Sequence, residues 1–206
     1  MPETQRDNAN AVMGPPISLR PAGPDDADLL VRVIDLASDG VLPAIWAGLA
    51  PEGVDPAEVG RAMVLAEDGP FSYRSGWVIE TPAAPLGGMI GYALPDPPVP
   101  PEPDVPPVFV PVEELVAQVP GYWLINMVAV LPEVQRRGLG AALVAKAEAL
   151  AQASEAPGVA LIVAASNAAA IRLYTRAGFQ ETGRCPMDAR EFGHPLTEAV
   201  LMTKKV

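Results

Sequence analysis

The chain has 206 residues, half of them apolar, a formal net charge of −11 and a single cysteine. That length suits one domain with a sizeable core, and the lone Cys185 excludes an internal disulfide framework. The acidity argues against broad binding to nucleic acid or anionic membrane; no apolar run is long enough to span a bilayer and residues 1–16 lack the apolar core of a signal peptide, so a cytoplasmic protein is expected.

Residues 1–16 are polar and read as a flexible tail. Residues 17–20 suit a first strand. Asp25 or Asp26 can start a helix through Leu36 that continues in some form past Trp46. Asp55-Pro56-Ala57-Glu58 suits the start of a second helix, with Pro56 at its first position. Residues 77–80 and 89–93 read as strands, joined in a hairpin through 81–85. Nine of the residues from 95 to 111 are proline, which excludes a sheet or helix interior and favours extended backbone. The stretch has no Lys or Arg. It reads as an insertion before the central strand, with a proline-rich partner motif as the alternative. A short helix is expected over 112–119. There are no internal repeats and nothing forces a second domain, so residues 17–206 are read as a single domain.

Residues 122–130 are apolar on both strand faces, as expected of a strand covered by helices. The strand stops at Pro132, and Gln135-Arg136-Arg137-Gly138-Leu139-Gly140 then leads into a helix of small residues. A helix start leaves backbone N–H groups without intrahelical acceptors and carries partial positive charge. It is therefore an anion site. Gly138 and Gly140 let backbone approach phosphate oxygens closely, and Arg136 and Arg137 add permanent cations. Ala141, Ala142 and Ala145 keep the first turns slim, while Leu139, Leu143 and Leu150 would face the core. The pattern lacks the third glycine of a dinucleotide fingerprint and the Gly-Lys-Ser/Thr of a P-loop.

Residues 158–165 read as another buried strand. Ser166 or Asn167 can cap the helix that follows. Gly178 can end it in the left-handed conformation. Ile171 and Tyr174 share a face of that helix.

Together the two segments resemble the GNAT superfamily of N-acetyltransferases. The first carries its Gln/Arg-x-x-Gly-x-Gly/Ala pattern at Gln135, Gly138 and Gly140. The second carries its Asn-x-x-Ala-x-x-Leu-Tyr-x-x-x-Gly-Phe pattern at Asn167, Ala170, Leu173, Tyr174, Gly178 and Phe179, in the same order and spacing. The resemblance implies an α/β fold with a mixed, mostly antiparallel sheet, helices on both faces, and central strands that splay to hold a pantetheine arm. It implies acetyl-CoA as cofactor, held by the main chain of Val128, Ala129 and Val130, by the run Gln135, Arg136, Arg137, Gly138, Leu139, Gly140 and Ala141, and by Asn167. It gives Tyr174 the role of general acid toward the departing thiol. Tyrosine is protonated at neutral pH and suits that role. A buried packing tyrosine and a plain helix cap are the structural alternatives for Tyr174 and Asn167. The implied activity is transfer of an acetyl group to a primary amine of a small molecule or peptide by direct attack in a ternary complex. A non-catalytic acyl-CoA sensor and an interaction protein are the alternatives. A homodimer is compatible with the chain.

Arg136, Arg137, Lys146, Arg172 and Arg176 cluster around the two motifs, as if serving an anionic ligand. No residue is assigned as the general base. Glu113 and Glu114 precede the central strand near the expected acceptor cleft. Asn126 stands where some relatives place a carboxylate, and Glu133 is expected to face solvent. Nothing in the spacing brings Cys185 to the single histidine, His194, and no cluster has metal-ligand spacing.

Overall fold

The computed structural model describes residues 16–100 and 105–206. Most of the expected N-terminal tail, residues 1–15, and residues 101–104 of the proline-rich insertion lie outside the described residues.

Seven strands form one sheet: β1 (Ser18–Pro21), β2 (Gly76–Glu80), β3 (Pro85–Ala93), β4 (Trp123–Val130), β5 (Gly158–Ala164), β6 (Gln180–Pro186) and β7 (Glu198–Lys205). Their order is β1-β2-β3-β4-β5-β7-β6. Every neighbouring pair is antiparallel except β4 and β5, which run parallel. A parallel pair needs a long crossover. Here helix α5 (Leu139–Ala153) supplies it.

Alternation along the strands sorts the core into two faces. Met89, Ile125 and Leu161 join Leu139, Leu143 and Ala147 of α5 in one apolar cluster. The same cluster takes Tyr174 of α6 (Ala168–Arg176). Ile90, on the opposite side of β3 from Met89, packs with Leu30 and Ile34 of α1 (Ala27–Ser38), Ile45 and Trp46 of α2 (Val41–Leu49) and Val64 of α3 (Pro56–Leu65). Leu124, Ala160 and Leu201 pack on that second face against Leu115 of α4 (Val110–Val116). Helices therefore cover both faces.

The expected first helix is two helices. Asp39 at φ 52° and Gly40 at φ 84° are both left-handed and break the chain between α1 and α2. The second expected start holds: the Asp55 carboxylate accepts from Ala57 N–H at 2.9 Å, with Pro56 first in α3. The short helix after the prolines starts two residues earlier than expected and ends three earlier, at Val116; Pro111 is accommodated in its first turn, where no backbone donor is needed.

One irregularity shapes the centre of the sheet. Ile90 pairs with Met127 and Gly91 with Ile125, so Asn126 is an extra residue on β4, a bulge that bends the strand. Beside it β3 must approach closely: a Cβ on Gly91 would lie 2.2 Å from the Trp123 ring.

Candidate active site

β4 and β5 pair only through Trp123, Leu124 and Ile125 against Val159, Ala160 and Leu161. Beyond them the strands continue to Val130 and Ala164 without a shared ladder. β4 stays bonded to β3 over the same stretch, with Val128, Ala129 and Val130 opposite Met89, Gly88 and Gly87. The sheet thus forks. On the β5 side of the fork no strand pairs with the backbone of Val128 to Val130, which leaves polar groups of Val128 and Val130 open to a guest.

The fork opens beside the start of α5. The chain leaves β4 through a 3₁₀ turn at Pro132–Val134. Gln135 Nε2 donates to the Val130 carbonyl at 3.1 Å, tying the loop to the strand end. Arg136 takes φ 62° and Gly138 φ 80°, both left-handed. Such turns aim successive N–H groups into one concavity. The first intrahelical donor is Ala142, to the Gly138 carbonyl at 3.1 Å, and no side chain caps the helix. The N–H groups of Leu139, Gly140 and Ala141 therefore lack intrahelical acceptors. A Cβ at Gly138 would meet nothing within 4 Å, so the space above this turn is open. Arg136 and Arg137 flank it, exposed. This donor set suits a pyrophosphate, and the neighbouring fork suits an extended chain with amide groups.

α6 supplies the remaining features. Asn167 Oδ1 caps its own helix, accepting from Ala170 N–H at 3.0 Å, so the capping reading of Asn167 is realised. Gly178, at φ 93°, ends the helix as expected. Tyr174 is only 7% exposed and stacks at a tilt on Phe179, ring centroids 5.9 Å apart. It shares its apolar cluster with Val128, Val130 and Val163, residues of the two forking strands. Burial pushes its hydroxyl up to about 12, so it holds its proton throughout the neutral range.

Other expectations settle differently. Lys146 lies not at the loop but over the Trp77 ring, 3.7 Å from its centroid. Glu133 is exposed, as expected, and pairs with Arg32 at 2.9 Å. Asn126, at the bulge, donates through Nδ2 to the Pro70 carbonyl at 2.7 Å. Glu113 is on α4, at the wall of a notch of about 70 Å³ formed with Leu94, Pro98 and Val99, and partial burial raises its carboxyl. Its charge adds to burial in pushing the nearby Tyr92 up to about 12. Cys185 is buried on β6. His194 instead bonds to Asp39 at 3.2 Å and accepts from Leu196 N–H at 3.1 Å. That contact joins the α1–α2 corner to the β6–β7 loop; sequence spacing gave no sign of it. Among the described residues no cluster could hold a metal ion, and no helix is long and apolar enough to cross a membrane.

The model of the acetyltransferase (GNAT) family matches residues 60–179, more than half of the chain. The chain belongs to the acetyltransferase (GNAT) family. GNAT proteins use acetyl-CoA, and the forked strands and uncapped α5 start form a site whose open space and donors fit it. No curated protein matches the chain in sequence. Solved structures share the GNAT fold at low identity. An acetyltransferase aligns with TM-score 0.64 and 17% identity over 92% of this chain and 99% of its own. An agmatine N-acetyltransferase variant aligns at 0.62 and 14%, over 92% and 99%. Naa20 of Chaetomium thermophilum, crystallised with a bisubstrate analogue, aligns at 0.58 and 21%, over 92% and 86%.

Proposed function

We propose that this GNAT protein is an N-acetyltransferase that moves the acetyl group of acetyl-CoA to a primary amine of a small molecule or peptide, by direct attack in a ternary complex. The observation that carries the reading is the fork between β4 and β5, opening beside the uncapped start of α5. The bound cofactor supplies an acetyl group already activated as a thioester, so no covalent nucleophile is needed from the protein.

The chain's own residues then have distinct tasks. The N–H groups of Leu139, Gly140 and Ala141, with Arg136 and Arg137, would hold the pyrophosphate. Gln135 fixes that loop to the end of β4. The main chain of Val128, Ala129 and Val130 would align the pantetheine arm, and Asn167 starts the helix that carries Tyr174. Tyr174 Oη would donate its hydrogen to the departing sulfur. With burial pushing it up to about 12, the hydroxyl is a weak acid. Its contribution is a hydrogen bond that strengthens as charge develops, rather than early proton release. Orientation of amine against thioester supplies much of the remaining rate. Buried Cys185, with its thiol pushed up by burial first and Glu198 second, is unsuited to carry an acyl group. That supports direct attack over a two-step route. The name of the agmatine N-acetyltransferase, a shared fold, is in keeping with an amine acceptor.

The test begins with isothermal titration of acetyl-CoA and continues with a screen of small amines and peptides by CoA release. Saturable binding followed by amine-dependent release is expected. A folded protein that binds no acetyl-CoA would sink the proposal. Binding without release for any amine would favour a sensor.

A further inference from the structure

Among the described arginines, Arg20, Arg32, Arg61, Arg74, Arg184 and Arg190 each hold a carboxylate in an ion pair. Arg136, Arg137, Arg172 and Arg176 hold none among the described residues. Acidic residues outnumber lysine and arginine by 25 to 14 in this chain, so an unpaired arginine has many carboxylates it could have met. All four lie in the two segments that build the site. Arg136 and Arg137 belong to the loop before α5. Arg172 and Arg176 belong to α6, one helical turn apart on one exposed face. Like charges at that spacing repel each other. The helix dipole favours a cation at Arg176, in the last turn, but gives no such help to Arg172.

α6 packs beside the site. A Cβ at Gly140, in the first turn of α5, would lie 3.3 Å from the Leu173 side chain. The residue next to Arg172 thus packs on the helix start that carries the unpaired N–H groups. Acetyl-CoA has three phosphoryl groups: two in the pyrophosphate and a third as a monoester on the ribose. The loop, with its backbone donors and two arginines, suits the pyrophosphate. The monoester carries up to two further negative charges and three strong acceptor oxygens, which guanidinium groups match.

We propose that Arg172 and Arg176 form a subsite for the ribose 3′-phosphate, so that this protein discriminates acetyl-CoA from its dephospho form. The proposal rests on the acetyl-CoA reading above and adds to it a specificity that the pyrophosphate loop does not need.

The experiment is titration of the full chain and of the double variant Arg172→Gln/Arg176→Gln with acetyl-CoA and with acetyl-dephospho-CoA, at one ionic strength. The wild type is expected to prefer acetyl-CoA by about tenfold, the scale of partly screened ion pairs. The double variant should lose that preference: acetyl-CoA weakens by about tenfold and acetyl-dephospho-CoA by less than about twofold. Arg136→Gln/Arg137→Gln should weaken both ligands. Both arginines of α6 are exposed, so melting curves should match the wild type. Equal wild-type affinity for the two ligands, or equal weakening of both in the α6 variant, overturns the subsite and leaves the acetyl-CoA reading standing. Binding of neither ligand by the folded wild type overturns both.

Discussion

Tyr174 is a largely buried tyrosine packed in an apolar cluster, and its two readings differ in a measurable way. As a packing residue it would lose little on conversion to phenylalanine, and removing a poorly solvated hydroxyl can even stabilise a core. As a proton donor it would lose rate. Tyr174→Phe is therefore expected to leave thermal stability and acetyl-CoA affinity nearly unchanged while lowering turnover by about 100-fold. Unchanged turnover would return Tyr174 to the core. Gly138 poses a steric question of another kind. Its φ of 80° suits glycine, and a Cβ there would meet nothing in the protein. Gly138→Ala should cost about 1–2 kcal/mol in denaturant unfolding, from backbone strain alone. Gly138→Glu should in addition abolish acetyl-CoA binding, because its carboxylate would stand where phosphate oxygens are expected. If titration finds the Glu variant binding normally, the loop is not the phosphate site.

At the scale of elements, legibility followed the range of the interactions. The α5 start and the α6 cap and stop were readable because each is local: Gly138, Asn167 and Gly178 act within a few residues of themselves. The buried strands β4 and β5 were readable as apolar runs. The strands β6 and β7 were not anticipated: β6 is exposed along most of its length, and β7 is placed by pairing with β5 and β6. The bulge at Asn126 was equally silent, since it exists only as a register against β3. So was the fork: the sequence showed two strands, and the resemblance alone suggested that they part. Arg20 is another long-range case. From β1 it reaches Glu80 on β2 at 3.0 Å and Asp26, ahead of α1, at 2.7 Å. It pins the edge strand to the first helix. The Arg20 hydrogen bond holds the Asp26 carboxyl below the usual range, so the pair favours the ionised form. Its folded pKa lies below its unfolded value. The stabilisation is thus fully present above the unfolded carboxyl range and is lost as pH falls through the folded value. Asp26→Asn should cost about 1 kcal/mol at neutral pH, after allowance for solvent screening at the partly exposed guanidinium. The same variant should be less sensitive than the wild type to acid near pH 3. Parallel acid-unfolding curves would show the Arg20–Asp26 pair to be inert.

Across the whole molecule the charge is unevenly spent. The formal net charge of −11 is a repulsive load on the folded state, yet four arginines without carboxylate partners among the described residues stand at the two motifs. Salt should therefore act in opposite directions on folding and on binding. Raising the salt from about 20 mM to about 500 mM shortens the screening length severalfold. Repulsion between surface carboxylates weakens, and the melting temperature should rise by a few degrees. Attraction between the arginines and the phosphates of acetyl-CoA weakens over the same range, and its affinity should fall by about tenfold or more. Melting and titration in one salt series measure both. A fall in affinity that merely tracked a fall in stability would point to partial unfolding. A salt-independent affinity would mean that the guanidinium groups do not meet the cofactor's phosphates. Opposed slopes would show that a chain of net charge −11 keeps local cations for an anionic ligand.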